Sequence, residues 1–501
     1  MKRVQYQSTR DKTQKVSASQ AILQGLSAEG GLFVPEQLPK LSEPMLECMI
    51  GQDYIQRAQT ILEGFLTDFS PEEIESCLKG AYHVQKFSGS QIAPLARLGE
   101  NAYLLELWHG PTCAFKDMAL QLLPRLMTVA AQKSGDGKEI VILVATSGDT
   151  GKAALEGFCD VPGIRIVVFY PEEGVSPLQK LQMATQEGKN VFVAAIHGNF
   201  DDAQSGVKKL FCDPQTIQML QKQNRVFSSA NSINWGRLLP QIVYYVSAYC
   251  DLVRDEQIAL GDPINVCVPT GNFGNILAAY YAKQMGLPIR KLICASNKNN
   301  VLTDFIQTGV YDRNRPFYAT TSPSMDILIS SNLERLLFHL MDEDDAAVRD
   351  LMEGLKTNGR YTVSQQVLNR LQADFDGGYC DEAETAATIK RLFDTYSYLC
   401  DTHTAVAVSV YESYLSQTGD DTKTVIASTA NPFKFPHAVL SALGAEAQDA
   451  DEFEVARKLE ELSGNEMPEQ LAGLREKPVR FTESFAKDRM NDALAKALQN
   501  V

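Results

Sequence analysis

Short apolar segments rich in β-branched residues alternate with amphipathic segments through the middle of the chain. Apolar runs of this kind are typical of strands buried on both faces of a parallel sheet, and the segments between them have helical spacing. The order of these elements predicts βαβ units with right-handed crossovers, and therefore an α/β fold with open parallel sheets. The predicted elements are strands at residues 139–146, 164–170, 191–198, 264–269, 291–296 and 422–429, and a long helix at 235–254.

Composition narrows the class of protein. The 501 residues include 47 Lys and Arg against 62 Asp and Glu, and the formal charge of −15 argues against non-specific binding to nucleic acid or to an anionic membrane. The ten cysteines are scattered without a CxxC pair, which favours reduced thiols over a spaced metal site. The sequence shows no apolar leader segment and no run of about 18 apolar residues, so we expect a cytoplasmic protein that does not span a membrane.

Two glycine-containing turns each follow a predicted strand and open a predicted helix. They are "ATSGDTGKAA", with its turn at 146–151, and "PTGNFGNILAA", with its turn at 271–275. A helix N-terminus offers unpaired N–H groups and partial positive charge, so either turn could hold a phosphate. Neither fits the P-loop or dinucleotide signature, and each alone is equally typical of a tight strand-to-helix connection. Two of them at strand C-termini favour a ligand site.

The segment "LELWHGPTCAFKDMALQ", residues 105–121, places Lys116 where a predicted strand gives way to a helix. A lysine amine becomes a nucleophile when it is desolvated or lies near positive charge, and a buried helix start supplies both. The alternative is an exposed lysine paired with Asp117. Together with the phosphate turns, Lys116 favours pyridoxal phosphate, whose aldehyde needs an amine and whose phosphate needs a helix N-terminus.

Several segments in order resemble the threonine synthase family of pyridoxal-phosphate enzymes, which has the tryptophan-synthase-β-like fold. Besides the lysine segment and the two turns, they are "STRDK", "GLSAEGGLFVPEQLP", "NSINWGRLLPQIVYY", "SPSMDILISSNLERL" and "STANPFKFP". The resemblance implies fold type II, with two open parallel-sheet α/β domains, an N-terminal extension and a helical insertion. The domains we expect are 1–90 (N-terminal), 91–440 (catalytic, with a smaller mobile subdomain at about 121–230 and a helical insertion at about 324–393) and 441–501 (C-terminal helices).

The resemblance also implies roles for individual residues. Lys116 would form a Schiff base with the cofactor and shuttle protons, and the hydroxyl of Thr429 would bond the pyridine nitrogen. Arg237 suits a phosphate because its planar donors can bind two oxygens. The implied cofactor-binding residues are Lys116, Gly271, Asn272, Phe273, Gly274, Asn275, Thr429 and Asp149. The implied substrate-binding residues are Thr146, Ser147, Thr150, Asn231, Ser232 and Arg237.

The implied activity is the conversion of O-phosphohomoserine and water to threonine and phosphate, the last step of threonine biosynthesis, by a monomer or homodimer. Two alternatives stay open: a related lyase that gives a 2-oxo acid, and a non-catalytic binding protein with the same fold. We expect Asp117 and Lys152 to be structural, His109 to be a wall residue and Cys113 to be a packing residue. Asn431 stands where many relatives have histidine, so no role is assigned to it.

Overall fold

A computed structural model describes residues 3–87, 91–146, 148–172, 175–446 and 451–499, leaving aside the side chains of Phe200 and Asp201. The strands are β1 (Tyr6–Ser8), β2 (Lys15–Val16), β3 (Phe33–Pro35), β4 (Leu95–Leu98), β5 (Ala102–Glu106), β6 (Glu139–Ala145), β7 (Ile164–Pro171), β8 (Val191–His197), β9 (Arg225–Ser228), β10 (Ile264–Pro269), β11 (Ile289–Ser296), β12 (Val310–Asp312), β13 (Arg360–Thr362), β14 (Phe375–Tyr379), β15 (Thr424–Ser428) and β16 (Ser484–Ala486).

Helices surround these strands. They are α1 (Ala18–Gln24), α2 (Glu43–Ile50), α3 (Tyr54–Phe65), α4 (Pro71–Ala81), α5 (Lys116–Leu120), α6 (Leu123–Ser134), α7 (Asp149–Phe158), α8 (Pro177–Ala184), α9 (Phe200–Cys212), α10 (Pro214–Lys222), α11 (Trp235–Arg254), α12 (Gly274–Met285), α13 (Val301–Thr308), α14 (Leu333–Leu340), α15 (Asp345–Asn358), α16 (Gln365–Asp374), α17 (Glu382–Tyr396), α18 (Thr402–Thr418), α19 (Pro436–Ala442), α20 (Glu452–Ser463), α21 (Glu469–Ala472) and α22 (Met490–Gln499). In the described residues no helix is both long and apolar enough to cross a membrane.

The larger sheet has the order β14-β11-β10-β15-β5-β4 and is parallel except for the β4–β5 pair. Its strands are apolar on both faces because both faces are covered. Cys267 and Ile426 pack on the α18 side, whereas Val266 and Val425 pack on the side of α11 and α12. The carboxyl ends of β5, β10 and β15 therefore meet at one edge, where α/β proteins bind their ligands.

The smaller sheet has the order β16-β8-β7-β6-β9 and is parallel. Along β6, Val141 and Leu143 face a cluster that includes α9, α10 and α22, whereas Ile140 and Ile142 face the cluster that includes α6 and α7. This burial on both faces is the reason that the strand is a continuous apolar run. A separate antiparallel sheet, β2-β1-β3, lies in the N-terminal region.

The predicted α/β fold with open parallel sheets is confirmed, and each predicted strand and the long helix α11 are present. Several other strands were not expected, among them β4, β9, β14 and β16. The segment 324–393 is mostly helical but also gives β14 to the edge of the larger sheet. The C-terminal segment 441–501 gives β16 to the edge of the smaller sheet besides its helices. The proposed domain boundaries stay predictions.

Candidate active site

Lys116 lies at the edge where the larger sheet's strands end. It begins α5, just after the loop that follows β5. The N–H of the preceding Phe115 donates to the carbonyl oxygen of Thr429 over 2.8 Å, and Ala114 and Ala430 form a β-bridge. The loops after β5 and β15 are therefore joined, which brings Lys116 close to Thr429.

The amine of Lys116 is buried, and the residue is only 8% exposed. Its Nζ donates to Oγ of Ser324 at 3.0 Å and lies 3.5 Å from Oδ2 of Asp149. Burial lowers the pKa of Lys116, and the positive charges of Lys434 and Arg237 act in the same direction, while the carboxylate of Asp149 opposes them. The exposed, surface-paired lysine that the sequence left open as an alternative is therefore wrong.

Asp117, the alternative partner, follows Lys116 in the first turn of α5 and is bonded to the loop before it. Its carboxylate accepts from the N–H of Thr112 at 2.8 Å and from the Thr112 hydroxyl at 2.7 Å. Burial raises the pKa of Asp117 to about 6, and these hydrogen bonds oppose that shift. A Cβ on Gly110 would come within 2.5 Å of Cβ of Asp117. Asp117 thus shapes the loop that carries Lys116, in a structural role.

Asp149 is the first residue of α7 and faces two lysines. Its Oδ1 lies 2.9 Å from Nζ of Lys434 and accepts from Nε2 of Gln179 at 2.9 Å. Burial raises the pKa of Asp149, but Lys434 and Lys116 outweigh it and hold that pKa well below its usual range. Asp149 is therefore a carboxylate at the Lys116 amine.

The turn Gly271–Asn275 connects β10 to α12, and the first turn of α12 has no side-chain cap. A Cβ on Gly271 would lie 2.5 Å from the carbonyl oxygen of Ser324, so this turn packs directly against the segment that contacts Lys116. Phe273 has φ 62°, a left-handed conformation. Oδ1 of Asn275 accepts from two buried tyrosine hydroxyls, Tyr244 and Tyr245, while its Nδ2 has no partner among the described residues.

The turn after β6 is built around Thr146. The Thr146 hydroxyl accepts from the N–H groups of Gly148 at 3.0 Å and Gly151 at 2.9 Å. Gly148 itself gives α7 no side-chain cap, and the Thr146 hydroxyl instead takes the N–H of Gly151 in its first turn. Thr150 is half-buried in the first turn of α7. Ser147, the remaining substrate candidate of this turn, lies outside the described residues.

Arg237 occupies the first turn of α11 and is 4% exposed. Its Nη1 donates to the carbonyl oxygen of Ala230 at 3.0 Å, and its Nε has no partner among the described residues. Burial lowers the pKa of Arg237 to about 10. No carboxylate of the described chain lies within ion-pair distance of it, so the guanidinium is a buried positive charge without a negative partner.

Asn332 joins the remaining substrate candidates to the glycine turn. Its Nδ2 donates to the carbonyl oxygens of Ser232 at 3.1 Å and Asn272 at 3.0 Å. Asn231 lies one residue before Ser232, and its carbonyl oxygen accepts from the N–H of Asn234, the residue that caps α11. The segments "NSINWGR" and "GNFGN" are therefore held side by side.

Sequence reasoning missed the side chains that hold Lys116 and its neighbours. The Ser324 backbone N–H donates to Nε2 of His403 at 3.1 Å, and Nδ1 of His403 lies 2.7 Å from Oδ2 of Asp401, so His403 accepts through Nε2 and donates through Nδ1. Lys434, on the turn Pro432–Lys434, was also missed. The sequence pattern that points to Lys434 is a lysine between two phenylalanines, five residues after the end of a predicted strand.

The chain matches known families over most of its length. Residues 5–82 match the model of the threonine synthase N terminus, residues 89–430 that of pyridoxal-phosphate dependent enzymes, and residues 404–492 that of the threonine synthase C-terminal region. The threonine synthase of Pseudomonas aeruginosa is 38% identical over 443 residues, 88% of this chain and 90% of that protein. The chain belongs to the threonine synthase family.

Two further comparisons agree with this assignment. A crystal structure of PLP-bound threonine synthase from Brucella melitensis has a TM-score of 0.88 at 36% identity and covers 99% of both chains. Threonine synthase-like 1 of Homo sapiens is 44% identical over 446 residues, which is 86% of this chain but only 59% of that protein. The chain thus spans less than two thirds of that relative's length. Fold type II, which the resemblance implied, is confirmed. The cofactor predicted from Lys116 and the two turns, pyridoxal phosphate, is also confirmed for the family.

The described residues fit pyridoxal phosphate. The uncapped start of α12, the close approach of Gly271 to Ser324 and the Nδ2 of Asn275, which has no partner among the described residues, together form a cradle that suits a phosphate. The buried amine of Lys116 contacts Ser324, the same residue that borders the cradle at Gly271. An aldehyde with a phosphate needs this combination.

Other residues near the site are engaged elsewhere. His109 lies 2.8 Å from Glu106 and stacks on Trp108 with 4.2 Å between ring centroids. Burial raises the pKa of Cys113 to about 12, so its thiol stays protonated. Lys152 pairs with Glu156 at 3.1 Å, away from the amine of Lys116. These contacts agree with the wall, packing and structural roles that the sequence suggested.

Proposed function

We propose that the protein is a threonine synthase, which converts O-phosphohomoserine and water to threonine and phosphate. The observation that carries this proposal is Arg237, a buried guanidinium without a carboxylate partner in the described chain, whose charge reaches Lys116. A buried charge is costly unless it is paired, so Arg237 calls for an anionic ligand. Because the backbone N–H groups at the start of α12 are proposed to hold the cofactor phosphate, we assign the anion at Arg237 to the substrate.

The cofactor is held by residues from three loops. Lys116 would bind the aldehyde of the cofactor, the N–H groups of Gly271 to Asn275 would hold its phosphate, and the hydroxyl of the buried Thr429 would serve its pyridine nitrogen. Bound pyridoxal phosphate withdraws electrons from the substrate's α-carbon and makes its proton acidic. A hydroxyl at the pyridine nitrogen moderates that withdrawal, because it does not keep the ring nitrogen protonated as a carboxylate would.

The substrate brings two anionic groups, a carboxylate and a phosphate. Arg237, with Asn231 and Ser232 a few residues before it, offers a positive charge to one of them, and the first turn of α7 offers N–H groups to the other. Thr150 adds a hydroxyl group in the first turn of α7, and Thr146 keeps the turn in shape. Asp149 does not bind the phosphate directly, since its carboxylate would repel it, and lines the cofactor instead.

The amine of Lys116 would move protons to and from the substrate. The amine must be neutral to accept a proton from the α-carbon, and burial favours the neutral amine. Lys434 and Arg237 act in the same sense. Asp149 then stabilises the ammonium that forms, so the amine can both accept the proton and return it.

The reaction is tested by incubating the purified protein with O-phosphohomoserine and identifying every product. Threonine and phosphate in equal amounts are expected. Formation of 2-oxobutyrate in place of threonine would instead identify a related lyase on the same fold. Intact cofactor binding without turnover of any kind would identify a binding protein.

A further inference from the structure

Lys434 is a fully buried lysine to which the proposed reaction assigns no contact with the substrate or the cofactor. Its side chain has 0% exposure, and Phe433 and Phe435 on either side of it are also buried. Burial of an ammonium group is costly unless each N–H finds a partner and the charge is compensated. A residue of this kind is retained where its charge or its contacts are needed.

The partners of Lys434 come from two other segments. Its Nζ donates to the carbonyl oxygen of Thr112, in the loop that leads to Lys116, at 2.8 Å. The same Nζ lies 2.9 Å from Oδ1 of Asp149, at the start of α7 next to the smaller sheet. Lys434 itself follows β15 of the larger sheet, five residues after Thr429. One side chain thus ties the α7 turn, the Lys116 loop and the loop after β15 together.

The carboxylate of Asp149 is shared between two lysines. Oδ1 faces Lys434 at 2.9 Å, and Oδ2 faces Lys116 at 3.5 Å. Gln179 donates to Oδ1 from α8, on the side away from Lys116. Because Lys434 and Gln179 both hold Oδ1, the orientation of the carboxylate is fixed and Oδ2 is directed at the Lys116 amine.

We propose that Lys434 is a positioning residue that fixes the carboxylate of Asp149 opposite Lys116 and holds the start of α7 against the Lys116 loop. This inference rests on the proposed role of Lys116. Lys434 contacts Lys116 only through Asp149, so it acts through that carboxylate and through its own charge.

The charges around the Lys116 amine give the direction of the effect. Asp149 on α7 favours the charged amine, while Lys434 and Arg237 on α11 disfavour it, and Ser324 accepts from it. Burial raises the pKa of Asp117 and of Cys113, which lie in or next to the same loop, and the charge of Lys434 opposes that rise. Loss of Lys434 removes one of the positive charges that lower the pKa of Lys116. It also leaves the carboxylate of Asp149 with Lys116 as its lysine partner, so the nitrogen of Lys116 holds its proton to higher pH.

The test uses the purified holoenzyme and the absorbance of the lysine-bound cofactor, titrated with pH in the absence of substrate. Lys434→Met removes the charge and keeps the stem, and Lys434→Arg keeps the charge. Lys152→Met is the matched control, because it also removes a buried lysine from a carboxylate partner, Glu156, on α7 without facing Lys116.

We expect the titration midpoint of Lys434→Met to rise by about one pH unit, with roughly tenfold lower kcat at neutral pH and a much smaller change in KM. Lys434→Arg should restore the wild-type midpoint, and Lys152→Met should not move it. An unchanged midpoint in Lys434→Met, or an equal rise in Lys152→Met, would overturn the inference.

If Lys434→Met does not fold, Asp149→Asn and the double variant Asp149→Asn/Lys434→Met replace it, since the double variant leaves no unpaired buried charge. The midpoint of the double variant should lie above that of Asp149→Asn, and coincidence of the two would overturn the inference. The products that the wild-type enzyme makes are measured separately. A wild type that makes a 2-oxo acid would refute the proposed function and leave the titration to decide the role of Lys434.

Discussion

The amine of Lys116 donates to the hydroxyl of Ser324 over 3.0 Å, and the carbonyl oxygen of that same Ser324 stands 2.5 Å from where a Cβ on Gly271 would be. One residue therefore borders both the amine and the phosphate cradle. Its place is fixed by His403, which accepts from its backbone N–H. The spacing between the two ends of the cofactor site thus depends on a short segment that contacts both.

Replacement of Lys116 by alanine should abolish both turnover and the absorbance band of the lysine-bound cofactor that borohydride removes. The reason is that Lys116 is the amine beside the cradle. Absorbance spectra before and after borohydride, with a product assay, measure both effects. Lys423→Ala, at a half-buried lysine just before β15 that donates to the carbonyl oxygen of Glu100, is the control and should keep the band. Turnover retained in Lys116→Ala would refute the assignment.

Replacement of Gly271 by alanine should weaken cofactor binding, because the added methyl group would meet the carbonyl oxygen of Ser324. Overpacking of this kind costs about 1–3 kcal/mol, which corresponds to a loss of affinity of about fivefold or more. Equilibrium titration of the apoenzyme with pyridoxal phosphate measures it. Gly473→Ala is the control, because a Cβ there meets nothing within 4 Å and its φ is −67°. Equal affinities in the two variants would contradict the cradle.

Replacement of Arg237 by methionine should raise KM for O-phosphohomoserine by about tenfold to a hundredfold, through the loss of charge-assisted hydrogen bonds. Cofactor binding should change little, since we propose that backbone N–H groups of the turn that opens α12, and not Arg237, hold the cofactor phosphate. Steady-state kinetics and a cofactor titration separate the two effects. Simultaneous loss of the cofactor would count against a substrate role for Arg237.

His339 should make the folded state sensitive to mild acid. Burial lowers the pKa of His339 to about 4, and the charge of Arg335 acts in the same direction, so the folded state keeps the neutral ring that contacts Tyr281. Its folded pKa lies below the unfolded value of about 6.5, so below that pH the unfolded state takes up a proton that the folded state does not. The stability that this group contributes is complete above about pH 6.5 and is lost progressively towards pH 4.

The free energy of unfolding attributable to His339 should therefore fall by about 2 kcal/mol between pH 7 and pH 5. Urea unfolding of the wild type and of His339→Gln at both pH values measures it. The gap between the two proteins should narrow or reverse at pH 5, because glutamine does not titrate. A difference in the free energy of unfolding between the two proteins that does not change with pH would show that His339 has the same pKa in the folded and unfolded states.

The sequence predicted the strands whose burial on both faces leaves a continuous apolar run, as in β6 and β10. It could not predict β14, whose "FDGGY" carries two glycines, or β16, whose three residues "SFA" are too short for a pattern. Lys116 and the turn at Gly271 were accessible because each stands at a strand-to-helix junction. The pair Asp149 and Lys434 was not, because it joins segments that only the folded sheets bring together.

The proposed conversion of O-phosphohomoserine and water to threonine and phosphate is tested most directly by running the reaction in water labelled with oxygen-18. Threonine synthesis breaks the carbon–oxygen bond of O-phosphohomoserine, so the account predicts label in the threonine hydroxyl and none in the phosphate released with it. Label in the phosphate, or phosphate released without labelled threonine, would contradict it.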